Sequence, residues 1–213
     1  MNDTFSGSSL GQWRPVSGDW KIMGGKLVQA DPNEKMAVIL IPVEQSGVMR
    51  YQWELNYRGG GEDDYAGFGV HVCISNPSFR RSWGQGRSLL GWVTWDPGAY
   101  GSPGAFIQLY ESRGPVNMGL HPRVYPGTDI MRYGNLIPVA EEYLDLEYLE
   151  YTVPMKLELD TRTGQGRFYD PFDPDRYYYP FDLGRPVRPG DYFAFRTNSV
   201  SVALDNVKIE RIR

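Results

Sequence analysis

Residues 49–57 read MRYQWELNY, an unbroken alternation of large and polar side chains. Met49, Tyr51, Trp53, Leu55 and Tyr57 fall on one side of an extended chain, and Arg50, Gln52, Glu54 and Asn56 on the other, because successive side chains of a strand point to opposite faces. A helix would scatter these residues around its circumference, so the period of two predicts a half-buried β-strand. Working outward, the turn RGGGEDD at 58–64 ends that strand. Gly67–Ser75 (GFGVHVCIS) then repeats the pattern, with Val70, Val72 and Ile74 expected on one face and His71 and Cys73 on the other.

Further strands are predicted at Trp20–Ile22, Lys26–Gln29, Ala37–Pro42, Leu89–Trp95, Ala105–Glu111, Val153–Asp160, Arg167–Tyr169, Tyr192–Thr197 and Val200–Arg211. Turn signals separate them: GG at 24–25, DPG at 96–98, TGQG at 163–166 and RPG at 188–190. No amphipathic helix of about ten residues or more stands out, and the acidic stretch 140–151 stays open between helix, strand and loop. The stretch 170–189 carries Pro171, Pro174, Pro180, Pro186 and Pro189 around Tyr177, Tyr178 and Tyr179, which forbids a central strand and predicts a long ordered loop packed by its own aromatics. With no internal repeat and no linker-like run, residues 1–213 are expected to form one all-β domain.

The chain of 213 residues carries a net charge of −4 and no Lys/Arg cluster, which argues against nucleic acid as a partner. No apolar run is long enough to span a membrane. One Cys excludes an internal disulfide, and Cys73 is expected to be a small buried residue. Two His residues and no nucleophile elbow exclude a Ser/His/Asp site; His121 falls in a proline-rich loop. The sequence opens directly on its first predicted strand, as an exported protein would after losing its leader. A periplasmic or extracellular location is therefore expected, with a cytoplasmic one still open.

The two ends carry a resemblance. DTFSGSSLGQWRPVSGDWKIMGGKLV near the N-terminus and FAFRTNSVSVALDNVKIERI at the C-terminus resemble the first and last strands of concanavalin A-like lectin/glucanase domains of the laminin-G kind, including bacterial carbohydrate-binding modules and family-16 glycoside hydrolases. The likeness covers the ends and not the middle. It implies an antiparallel jelly-roll sandwich of two curved sheets whose concave face binds glycans. It does not transfer an activity, because one scaffold hosts many. It also implies a structural Ca²⁺ near the joined termini, held by Asp205 of LDNV with Asp3 contributing. The alternative is that Asp205 and Asn206 bond only to nearby backbone.

Alternation nominates a glycan face: Arg50 and Glu54, with Gln52, from the first strand, His71 from the next, Trp92 with Thr94 (or else Val93 with Trp95) from LLGWVTW, Phe106, Gln108 and Tyr110 from AFIQLYE, and Arg196 flanked by the core residues Phe193 and Phe195. Trp13, Trp20 and Trp53 are assigned to the core. A catalytic reading rests on Asp145, Glu147 and Glu150, whose spacing follows the bulged family-16 motif but with the first two acids exchanged. A shorter nucleophile on a fixed strand misplaces the reacting oxygen, so no catalytic residue is assigned. The sequence thus points to non-catalytic binding of a polysaccharide or glycan. A glycoside hydrolase of the same fold, or a protein-interaction domain of a cell-envelope assembly using Tyr177–Tyr179, are the alternatives.

Overall fold

The computed structural model describes residues 1–62, 66–96, 104–115, 118–120, 136–138, 151–171 and 173–213. Sixteen strands are present among them and no helix. The first sheet runs β14 (Tyr178–Asp182), β13 (Gln165–Tyr169), β12 (Val153–Asp160), β6 (Val48–Gly60), β16 (Val200–Arg211), β4 (Lys26–Gln29) and β3 (Trp20–Met23), with β1 (Asn2–Asp3) beside β16. The second runs β10 (Met118–Leu120), β9 (Gly104–Arg113), β8 (Arg87–Asp96), β7 (Gly67–Ser75), β15 (Gly190–Asn198), β5 (Ala37–Gln45) and β2 (Arg14–Ser17), with β11 (Leu136–Pro138) on β9. Every pairing is antiparallel. The sheets share strands from both ends of the sequence, and the amino group of Met1 donates to the Ile209 carbonyl at 2.8 Å.

The inner faces follow the alternation. Met49, Tyr51, Trp53 and Leu55 of β6 are buried against Phe193 and Phe195 of β15. Trp13 stacks on Phe195 with ring centroids 5.4 Å apart, and Tyr51 stacks on Phe193 at 5.8 Å. Such ring pairs each add about 1 kcal/mol beyond their buried area. Trp13, Trp20 and Trp53 are core residues, as expected.

Two local breaks in period two shape the sheets. At Cys73 the backbone enters the left-handed region (φ 54°) and the register of β7 shifts against both neighbours. This β-bulge turns Cys73 into the core beside Val70 and Val72. It also sends Ile74 outward to a small cluster with Val38, Leu40 and Ala194. The expected faces of Cys73 and Ile74 are thereby corrected: strict alternation does not survive an inserted residue. At Asn206 (φ 49°) a second bulge interrupts β16, and Asn206 N donates to Asp205 Oδ1 at 2.7 Å. The Asp-Asn-Val sequence is a bulge that returns Val207 to the core.

The proline-rich stretch is also corrected in part. Tyr178–Asp182 forms β14, paired with β13 so that Pro180 faces Arg167. Proline is tolerated there because β14 is the edge of its sheet and needs no second row of ladder donors. The acidic stretch left open at 140–151 lies, but for Tyr151, outside the described residues.

Candidate functional site

The residues nominated for a glycan face divide between the two sheets. Arg50 and Glu54 lie on the outer face of the first sheet, because their neighbours Met49, Tyr51, Trp53 and Leu55 fill the core. His71, Trp92, Gln108, Tyr110 and Arg196 lie on the outer face of the second, behind Val70, Val93, Leu109 and Phe195. The expectation of one shared face is corrected: β6 belongs to the opposite sheet, and strand topology, unlike strand period, is not written locally.

On the second sheet, residues 76–86 cover the middle strands. Arg196 donates from Nη1 to the Trp83 carbonyl and from Nη2 to the Ser82 carbonyl, and its guanidinium lies 5.0 Å from the Trp83 ring. Ser88 Oγ donates its one proton to the Gln85 carbonyl at 2.8 Å. His71 Nδ1, 3.0 Å from the same oxygen, must therefore be the donor in that contact. That tautomer leaves His71 Nε2 as the acceptor for Arg196 Nη1 at 3.3 Å. Burial holds the His71 imidazolium well below its ordinary range and the Arg196 charge adds to this, so the ring is neutral. Burial also pulls the Arg196 guanidinium down to about 9, still cationic at neutral pH. Trp92 is buried too, its indole edge-on to Trp83. His71, Trp92 and Arg196 thus fasten the covering segment and do not meet solvent, which corrects their assignment as ligand contacts. Gln108 and Tyr110 stay half-exposed and are joined by a 2.6 Å bond from the Tyr110 hydroxyl to Gln108 Oε1.

On the first sheet the polar residues are open. Arg50 Nε donates to Glu158 Oε1 at 2.8 Å, and Arg50 Nη1 lies 3.8 Å from Glu210. Glu158 Oε2 accepts from Tyr169 at 3.0 Å. Burial raises the Glu158 carboxyl, but hydrogen bonds from Arg50 and Tyr169 outweigh it and hold the group below the usual carboxylate range. Lys156 Nζ sits 3.9 Å over the Tyr169 ring, and the Arg167 guanidinium 4.8 Å over Tyr178. Beside this ladder runs a groove of about 720 Å³ whose lining includes Arg50, Glu158, Arg162, Arg167, Pro180 and Asp182. Period two in Val153–Asp160 already put Lys156 and Glu158 on one face. What the sequence withheld was that β12 pairs with β6, setting Glu158 opposite Arg50.

Asp3 and Asp205, named for calcium, each accept hydrogen bonds from the protein itself. Asp3 Oδ1 accepts from Phe5 N and Oδ2 from Trp13 Nε1, both at 2.9 Å, so its carboxylate ties the N-terminal segment to the core. Asp205 serves the bulge. Among the described residues no three acidic, His or Cys side chains gather around a common point. The local backbone bonding set out as the alternative for Asp205 is present in the Asn206 N bond. His121, Asp145, Glu147 and Glu150 lie outside the described residues. Of the tyrosines proposed as a protein contact, Tyr177 and Tyr178 are exposed, whereas Tyr179 packs on the core. Among the described residues no helix is long and apolar enough to cross a membrane.

No protein-family model matches this chain, and no curated protein sequence does. Solved structures match it in shape. The carbohydrate-binding module CBM66 from Bacillus subtilis aligns over 93% of this chain and 95% of its own, with a TM-score of 0.52 and 11% identity. The carbohydrate recognition domain of Emp46p, in a metal-free form, aligns over 98% and 94%, with a TM-score of 0.62 and 13% identity. The exoplasmic/lumenal domain of VIP36, in a Ca²⁺/Man-bound form, aligns over 99% and 87%, with a TM-score of 0.59 and 11% identity. The chain has a lectin-like fold. At such identities the likeness is one of architecture, an all-β sandwich of two antiparallel sheets in the jelly-roll manner. It does not single out the family-16 hydrolases.

Proposed function

We propose that this chain binds a polysaccharide or other glycan without cleaving it, and that the open groove on the outer face of the first sheet receives the sugar. One observation carries the reading: the paired planar groups of Arg50 and Glu158 line the groove together with Arg167, whose guanidinium in turn lies over the exposed ring of Tyr178 beside it. Sugars ask for this combination. Guanidinium and carboxylate forks match adjacent hydroxyls, and an aromatic face takes the C–H side of the ring. Glu54 extends the polar surface on the same side. The carbohydrate-binding names of CBM66 and the Emp46p domain lend support. A compartment outside the cytoplasm, periplasmic or extracellular, suits such a ligand and agrees with the exoplasmic/lumenal name of the VIP36 domain.

Binding is favoured over hydrolysis by the state of the carboxylates. A glycosidase needs one carboxyl that keeps its proton. Glu158 is held ionised, and Glu158 and Glu210 flank a single Arg50. Calorimetric titration against neutral and acidic polysaccharides tests the proposal. Binding is expected, weakened about tenfold in Tyr178→Ala and in Glu158→Gln, and kept in Tyr110→Ala. Silence towards every glycan would refute it. Loss in Tyr110→Ala with Tyr178→Ala unaffected would move the site to the second sheet.

A further inference from the structure

A second cavity of about 380 Å³ opens between the ends of β8 and β9 and the segment 183–188 that follows β14. Four arginines line it: Arg87 from β8, Arg113 from β9, and Arg185 and Arg188 from the segment. Among the described residues Glu111 of β9 is the one carboxylate in its wall. This concentration of positive charge stands on a chain whose net charge is −4.

The placement follows from period two. Leu89 and Leu109 are inner-face core residues, so Arg87, Glu111 and Arg113 continue the same inward rows where the core gives out. Arg87 stands directly opposite Arg113 in the β8–β9 register. Like charges in that relation repel, and nothing in strand pairing requires them there. Glu111 accepts from Arg113 at 2.9 Å and from Arg185. Burial raises its carboxyl, but those two hydrogen bonds outweigh burial and hold it ionised. One carboxylate thus serves two arginines. Arg87 and Arg188 have no acidic partner among the described residues.

We propose that this cleft binds an oxyanion: a sulfate, phosphate or carboxylate group. Guanidinium forks match such groups in shape and charge, and arginines from three elements converge as a built site would have them. An anion between Arg87 and Arg113 would relieve the repulsion that the register imposes. The cavity is larger than a bare ion, so the group enters either free or as the acidic substituent of a sugar. The site is separate from the groove on the first sheet and does not depend on it.

The test is calorimetric titration at fixed ionic strength with sodium sulfate, sodium phosphate and a glucuronate disaccharide. Saturable binding is expected for the unaltered protein. The double variant Arg87→Gln/Arg188→Gln should bind about tenfold more weakly or worse. It should melt no lower than the unaltered protein, since neither side chain holds an acidic partner and Arg87 repels Arg113. Binding of the inorganic ions identifies a free anion as sufficient, and binding of the disaccharide alone identifies an acidic sugar; both support the cleft. No saturable binding of any of the three, or equal binding by the double variant, overturns the proposal. Tyr178→Ala should leave these titrations unchanged, so failure of the groove and failure of the cleft are told apart.

Discussion

Arg196 donates to His71 Nε2 at 3.3 Å, and both side chains are wholly buried. A second proton on the ring would sit on Nε2, remove the acceptor that Arg196 uses and face the guanidinium. Burial, and then the Arg196 charge, set the folded-state affinity of His71 for that proton well below the ordinary 6.5. Below about pH 6.5 the unfolded chain takes up a proton that the folded chain refuses, so stability falls as pH drops through that range. The slope from this one residue is at most about 1.4 kcal/mol per pH unit. Glu111 and Glu158, held below their ordinary 4.5, withdraw stability only at lower pH. Urea unfolding between pH 7 and 5 should therefore show a slope that His71→Gln flattens. Equal slopes in the two proteins would contradict the neutral-ring assignment.

Gly69 lies beneath Trp92. A Cβ placed there would come within 2.2 Å of the Gly91 carbonyl and 2.9 Å of the Trp92 ring. The covering segment rests in turn on Trp92 through Trp83. Gly69→Ala should cost about 2 kcal/mol through overpacking and shift tryptophan emission to longer wavelength as the indole is pushed out. An unchanged spectrum and melting point would show that the strands part to admit the methyl group.

The strand pattern was legible because each strand has one dry face. Lys26–Gln29, Gly67–Ser75, Val153–Asp160 and Val200–Arg211 appear with the predicted bounds. Arg14–Ser17 and Tyr178–Asp182 were missed because edge strands with proline lack the alternating buried row that betrays a central one. The division of the candidate site had a different cause. Arg50 and His71 look alike in sequence, each polar between core residues. Yet β6 and β7 are consecutive strands on opposite sheets, and a sandwich turns their outward residues to opposite sides. The fate of Trp92 turned on residues 76–86, which carry no period at all.

Gln45 joins three strands by one amide. Its Oε1 accepts from Cys73 N at 2.8 Å and from the Tyr51 hydroxyl at 3.0 Å, while Nε2 donates to the Tyr192 carbonyl at 2.6 Å. Gln45→Leu leaves buried partners bare and should cost about 3 kcal/mol. Tyr51→Phe removes the bond to Gln45 and a weaker contact with Cys73 Sγ, and should cost about 1 kcal/mol. Denaturant midpoints at constant slope would measure both, and equal costs would show that water replaces the amide. The thiol of Cys73, pushed up to about 12 by burial, should ignore a disulfide reagent at pH 8 until the protein unfolds.

Asp3 binds the N-terminal segment to Trp13, a structural role that needs no metal. Thermal unfolding should be the same with millimolar Ca²⁺ as with a chelator, since a ligand that binds only the folded state would raise the midpoint. Asp3→Ala should still lower it, by about 1 kcal/mol in stability, in either buffer. A calcium-dependent midpoint that disappears in Asp3→Ala would restore the metal.

Arg50 separates stability from recognition. Its bonds to Glu158 and Glu210 join partly exposed groups, with Arg50 33% and Glu158 15% exposed, and water and salt screen such pairs. Arg50→Ala should therefore change stability by less than about 1 kcal/mol, and by less still in high salt. The same change leaves Glu158 without its main cation, so the carboxyl should rise under the burial that Arg50 now opposes, with Tyr169 and Lys156 still holding it down in part. Carbon-detected titration of the Glu158 carboxyl would follow that rise. Glycan affinity should fall about tenfold in the same variant because the fork that meets the sugar is gone. A variant as stable as its parent and as tight for glycan would show that the ion pair on this face is only a solvated surface contact.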